Sequence, residues 1–214
     1  IPSLDLQESR QLLASLLDGA PIADRAESLV LSAAEGNPLF IEELLTVLIE
    51  DGTLERIDGV WRETSSVTDV PVPPSVQALL TARLDRLSNA ERLVLEHGAL
   101  VGREFREHDL DGFPALAALD VPDVVARLVE KELLSLERES MQSNLSFRHV
   151  LMRDTAYQGM SKLNRAFAHE AYAALLEQRA GERLAEIEDL VGYHLESAET
   201  YRSETGLPVS DDSP

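Results

Sequence analysis

Cysteine is absent from the 214 residues, which excludes disulfides, thiolate metal ligands and a cysteine nucleophile, and fits a chain kept in the reducing cytoplasm. Positive charge is scarce: 19 Lys and Arg stand against 39 Asp and Glu, a formal balance of -20. Such a field repels phosphate backbones, so a nucleic-acid surface would have to be a local basic exception, and none is visible. Long apolar runs are missing too, and nothing approaches the roughly 18 residues that a membrane span requires. The first residue is Ile1, with no basic-then-apolar leader after it, so the N-terminus reads as a cut through a longer protein.

The familiar catalytic signatures are also lacking. There is no G-x-x-x-x-G-K-S/T, no G-x-G-x-x-G and no G-x-S-x-G, so a phosphate cradle, a dinucleotide turn and a nucleophile elbow are all unencoded. The five histidines, His97, His108, His149, His169 and His194, never stand four residues apart, which removes a helical metal pair. Spacing alone selects no acid and base from so many carboxylates, most of which read as solvated faces. The chain is therefore expected not to be an enzyme by itself.

What the sequence does contain is helix punctuation. Asp5 with Glu8 reads as a capping box, and Leu6, Leu12, Leu13, Leu16 and Leu17 give an amphipathic helix closed by Gly19. Pro21 is expected to open a second helix, through Ile22, Ala26, Leu29, Val30 and Ala33, ending at Gly36. Then comes AEGNPLFIEELLTVLIEDG, residues 34–52, with Asn37 as N-cap and Pro38 at the first helical position. In TLERIDGVWRE the Asp58-Gly59 step predicts a hairpin. Residues 64–74, TSSVTDVPVPP, suit neither helix nor ladder and read as a linker.

Beyond it, Val76, Leu79, Leu80, Leu84 and Leu87 line one helix face, with Arg83 and Arg86 read as its exposed side. Ser88 and Glu91 form a second capping box for a helix up to Gly102, and residues 103–119 carry a weaker helical pattern. Asp120 and Pro122 launch another helix, followed by the strand-like runs LLSLERE and NLSFRH. Helices followed by such a hairpin are the order of a winged-helix domain. Two last stripes, Leu163-Phe167-Ala171-Ala174 and Leu184-Ile187-Val191-Leu195-Ala198, predict an amphipathic helix pair of the kind that begins a repeat array. The predicted fold is mainly α: a helical lid with a small β-hairpin over 1–63, a linker over 64–74, a winged-helix domain over 75–160, the start of a TPR-like array over 161–202 and a disordered tail over 203–214.

The start of the Pro38 helix has two readings. Either it simply punctuates the chain, or it presents backbone donors and the positive end of the helix dipole to an anion or a polarised ring edge, with the flat pyrrolidine against a purine. For His149, strand alternation with Leu145 and Phe147 predicts a core histidine. Arg148 points the other way, towards solvent, a phosphate or another domain. Trp61 is read as a partner anchor at the hairpin tip or as a core contact between hairpin and helices.

The segments AEGNPLFIEELL, VPPSVQALLTARLDRL, LVGREF and LSFRHVLMRDTAY, in this order, resemble the helical lid and winged-helix portion of STAND-class ATPases. The likeness is to the group that includes large LuxR-type regulators and multidomain proteins with adenylate-cyclase domains. It implies a nucleotide-sensing regulatory segment that couples ADP/ATP state to domain rearrangement. The nucleotide-binding P-loop domain, which also holds Mg, would precede Ile1, and helical repeats and an output domain would follow. By resemblance Pro38 matches the lid proline that touches adenine, with Gly36 and Asn37 shaping the turn. His149 matches the histidine that approaches the β-phosphate of ADP, although Phe147-Arg148-His149-Val150 lacks the family's acidic third residue. Two rival expectations are a winged-helix DNA-binding regulator, whose reading helix would offer only Arg127 and Lys131, and a protein-interaction scaffold independent of nucleotide.

Overall fold

A computed structural model describes residues 3–64, 75–139 and 142–206. Among them the chain is mainly helical, with nine α-helices and two small antiparallel sheets, and no helix is long and apolar enough to cross a membrane. The expected linker falls almost wholly on residues 65–74, outside the described residues. The chain divides into two compact units, 1–85 and 86–214.

In the first unit, α1 (Leu6–Leu16) starts on the expected box. The Asp5 carboxylate accepts from the Glu8 amide and the Glu8 carboxylate accepts from the Asp5 amide, each at 2.8 Å. Gly19 closes this helix by donating to the Ala14 carbonyl at 2.8 Å. The second helix, α2 (Asp24–Ala34), starts three residues later than Pro21 suggests. The Pro21 carbonyl accepts from the Trp61 amide at 2.8 Å, and the Ala23 amide donates to the Trp61 carbonyl at 2.9 Å, so this stretch is held extended against the hairpin. The hairpin pairs β1 (Leu54–Ile57) with β2 (Val60–Glu63). Asp58 and Gly59 both take positive φ, 53° and 81°, as a two-residue hairpin turn of this handedness requires. Trp61 packs half-buried on the helical core, the second of its two expected roles.

Helix α3 (Pro38–Glu50) supplies Phe40, Ile41, Leu44, Leu45, Val47 and Leu48 to that core. Against it lies α4 (Val76–Asp85), expected to open the second domain but part of the first unit. The expected exposure of Arg83 is corrected. It is buried, and donates to the Glu43 carboxylate at 2.6 Å and to Glu50 at 3.4 Å, while Arg86 is exposed as expected. Arg83 follows Leu79 by four residues and Leu80 by three, which places it on the buried stripe, where an unpaired charge would be prohibitive.

The second unit opens with α5 (Asn89–Val101), capped by Ser88 and Glu91 as expected. The weak helical pattern at 103–119 is overturned. β3 (Glu104–Arg106) pairs with the later strand β5, and two short 3-10 turns over 107–110 and 114–116 follow. Here pairing with a distant strand overrides local propensity, and Gly112 (φ 91°) and Pro114 interrupt any helix. Asp120 caps α6 (Val121–Glu130) by accepting from the Asp123 amide at 3.2 Å. β4 (Leu134–Glu139) and β5 (Gln142–Phe147) complete a sheet of order β3-β5-β4. Phe105, Leu145 and Phe147 face its core.

Three helices follow: α7 (Val150–Gly159), α8 (Lys162–Ala180) and α9 (Glu188–Thr205). The last two form an antiparallel pair, with Lys162 near the start of α8 bridging to Glu204 at the end of α9. α9 therefore runs three residues into the expected tail, and 207–214 lie outside the described residues. The buried faces match expectation only at Val191 and Ala198 of α9. α8 buries Ala166, His169, Tyr172 and Ala173 and exposes Leu163, Phe167 and Ala174; α9 buries Val191, His194 and Ala198 and exposes Leu195. Aromatic and imidazole rings, once hydrogen-bonded to one another, displace the leucine stripe from the interface.

Candidate functional site

The Gly36-Asn37-Pro38 turn is built by three local constraints. Glu35 and Gly36 take left-handed φ of 48° and 76°. The Gly36 carbonyl accepts from the Leu4 amide at 2.8 Å, and a Cβ on Gly36 would run into the Leu4 carbonyl. Only glycine fits both the angle and the approach. Asn37 follows as N-cap, its amide donating to the Ala34 carbonyl at 2.8 Å and its side-chain oxygen accepting from the Leu39 and Phe40 amides at 3.1 and 3.3 Å.

This geometry corrects the expectation of open donors at the start of α3. Pro38 has no N-H, Asn37 takes the next two amides, and the Ile41 amide reaches the Asn37 carbonyl at 3.1 Å. The turn leaves half-buried Pro38, rather than a set of open amides, at the start of α3. Gly36 and Asn37 hold that residue in place.

His149 belongs to the second unit, and its backbone position also differs from expectation. β5 ends at Phe147, so alternation with Leu145 no longer governs it; His149 is the N-cap residue of α7, with φ -133° and ψ 139°. Its ring is half-buried and Nε2 is shielded from solvent. Its carbonyl accepts from Met152 at 3.0 Å and from Arg153 at 3.4 Å. No side chain caps this helix, and among the described residues no acceptor meets the Val150 and Leu151 amides. The dipole end and two open donors therefore lie directly beside the imidazole. Exposed Arg148 bridges to Glu132 at 3.7 Å, and Arg153 donates to the Ala99 carbonyl at 2.9 Å.

The structure thus joins Gly36, Asn37 and Pro38 in one turn and sets His149 at the mouth of a separate helix. It also shows a polar core that the sequence reading missed. The His169 and His194 rings meet Nδ1 to Nδ1 at 2.8 Å, each 1% exposed, and Tyr157 Oη lies 2.8 Å from His169 Nε2 and 3.1 Å from Tyr201 Oη. Burial, then His194 and Arg165, lowers the His169 pKa to about 4, and burial lowers that of His194 to about 4. Helical spacing held the signal: His169 stands three residues from both Ala166 and Tyr172, and His194 three from Val191 and four from Ala198. Among the described residues, no group of three or more His, Asp or Glu side chains is placed to hold a metal ion.

A family model described as a domain of unknown function, DUF8739, matches residues 5–62, the stretch from the first capping box through the hairpin. No curated protein matches the chain.

Proposed function

We propose that this chain is the lid, winged-helix and first repeat-helix segment of a STAND-type signal-transduction ATPase, sensing ADP against ATP bound by a P-loop domain outside this sequence. The observation that carries the reading is the contrast between two helix starts. Asn37 closes the amides of α3 and leaves a rigid, half-exposed proline ring suited to the flat face of adenine. α7 instead leaves the Val150 and Leu151 amides open beside His149, which suits a phosphate. Purine recognition thus falls to Pro38 and phosphate recognition to the start of α7.

The order α5, β3, α6, β4, β5, with the sheet arranged β3-β5-β4, supports the winged-helix assignment. The antiparallel α8 and α9, with exposed Leu163, Phe167, Leu190 and Leu195, support a repeat array that continues beyond the pair. His149 contacts the terminal phosphate of ADP and loses that contact with ATP, and this differential contact makes the nucleotide a switch. DNA reading by α6 is disfavoured, because Lys131 bridges to Glu91 at 2.8 Å and Arg127 pairs with Asp123. The test is ATP turnover and ADP binding by the purified chain, without and with the P-loop domain. The reading expects no turnover and weak ADP binding alone, with binding strengthened by the added domain; robust turnover by the chain alone would overturn it.

A further inference from the structure

The second unit contains a cavity of about 300 Å³ between α5, the second 3-10 turn and the start of α8, at the small end of ligand pockets. Its walls are mainly apolar: Leu93, Phe113, Met160 and Ala168 line it, with Phe167, half-exposed, among the lining residues. Three polar side chains interrupt them, Glu96 and His97 of α5 and Asn164 of α8. Glu96 is 7% exposed. Its pKa is raised by burial, offset in part by the charge of Arg92 one turn earlier. His97, 4% exposed, shares a 2.7 Å hydrogen bond with the Leu93 carbonyl through Nδ1 and meets the Phe113 ring edge-on, with centroids 4.8 Å apart. A carbonyl only accepts, so Nδ1 carries the proton and Nε2 is left as an acceptor.

A carboxylate and an imidazole acceptor therefore line an otherwise mainly apolar cavity. A ligand that brings an ammonium pairs with the carboxylate and fills the apolar space. We propose that this cavity binds a small organic cation, an aromatic or branched aliphatic amine, with its ammonium on Glu96 and its apolar body among Leu93, Phe113 and Met160. The chain's excess of negative charge favours a cationic ligand by raising its local concentration. The inference rests on this cavity of the second unit and is independent of the nucleotide reading.

The probes are 2-phenylethylamine, its neutral counterpart 2-phenylethanol and its anionic counterpart phenylacetate, titrated into the whole chain by calorimetry and by amide NMR near pH ~7. The amine is expected to bind and to shift the amides of α5 and of the start of α8, with the alcohol weaker and the carboxylate weakest. Glu96→Gln keeps the shape and is expected to weaken amine binding about tenfold or more, the value of one charge-assisted hydrogen bond, while leaving alcohol binding unchanged. Ala168→Leu fills the cavity and is expected to abolish both; circular dichroism identifies a variant that fails to fold, and the Glu96→Gln comparison stands without it. Failure of the amine to bind at millimolar concentration, equal binding of all three probes, or an amine affinity unmoved by Glu96→Gln would overturn the proposal.

Discussion

Acidification should destabilise the second unit well before its carboxylates are titrated. The perturbation is protonation of the buried His169-His194 pair. Both rings are neutral in the fold, and the chain of hydrogen bonds from Tyr201 through Tyr157 to the two rings can be completed in either direction with one proton per bond. A first added proton must be carried without water, near the Arg165 guanidinium, which lies 4.8 Å from the centre of the Tyr157 ring. A second would place two N-H groups and two charges nose to nose across 2.8 Å. Tyr172 and Tyr193 close the remaining sides, and the charged pairs Glu170-Arg202 and Lys162-Glu204 lie on the same two helices. The folded pKa of about 4 is below the ordinary 6.5, so the stabilisation is fully present above 6.5 and is lost as pH falls through about 4. By pH ~5 the loss is about 2 kcal/mol per ring, on the order of 4 kcal/mol for the pair. Urea unfolding followed by circular dichroism between pH ~7 and ~5 measures it, with His169→Gln/His194→Gln as the reference that lacks these groups. A wild-type stability as flat as that of the double variant over this range, or C2-H resonances of His169 and His194 titrating near 6.5 in the folded chain, would overturn this prediction.

Arg83→Met leaves Glu43 buried and charged and should cost about 3–5 kcal/mol. Arg83→Met/Glu43→Leu should recover most of that, read from thermal unfolding of Trp61 fluorescence. Gly36→Ala combines a left-handed angle with a collision against the Leu4 carbonyl and should destabilise the first unit by more than the ~1–2 kcal/mol of the angle alone. Asn37→Ala removes the acceptor of two amides and should cost about 1 kcal/mol by urea titration.

Features set by residues within a turn of one another were legible in the sequence. The boxes at Asp5-Glu8 and Ser88-Glu91, the Asn37 and Asp120 caps and the Asp58-Gly59 turn all formed where expected, because each partner is within three residues. Features decided by distant partners were not. Pro21 is held extended by Trp61, residues 104–106 become a strand only because β5 lies alongside, and Arg83 is buried because Glu43 sits across from it. The same distinction runs through the candidate site. The Gly36-Asn37-Pro38 turn could be read from its own residues, but closure of its amides by Asn37 reverses the expected chemistry. The end of β5 at Phe147 changes His149 from a strand residue to a helix cap. In α8 and α9 the apolar periodicity pointed to leucines, whereas the buried face was chosen by rings that hydrogen-bond across the pair.

In the proposed switch, His149 reads the difference between ADP and ATP while Pro38 holds the base common to both. The most direct measurement is equilibrium binding of ADP and of a non-hydrolysable ATP analogue to the assembly of this chain with its P-loop domain, with and without His149→Ala. His149→Ala is expected to weaken the affinity for ADP and to leave that for the ATP analogue unchanged. Equal losses for both nucleotides, or no loss for either, would contradict the switch.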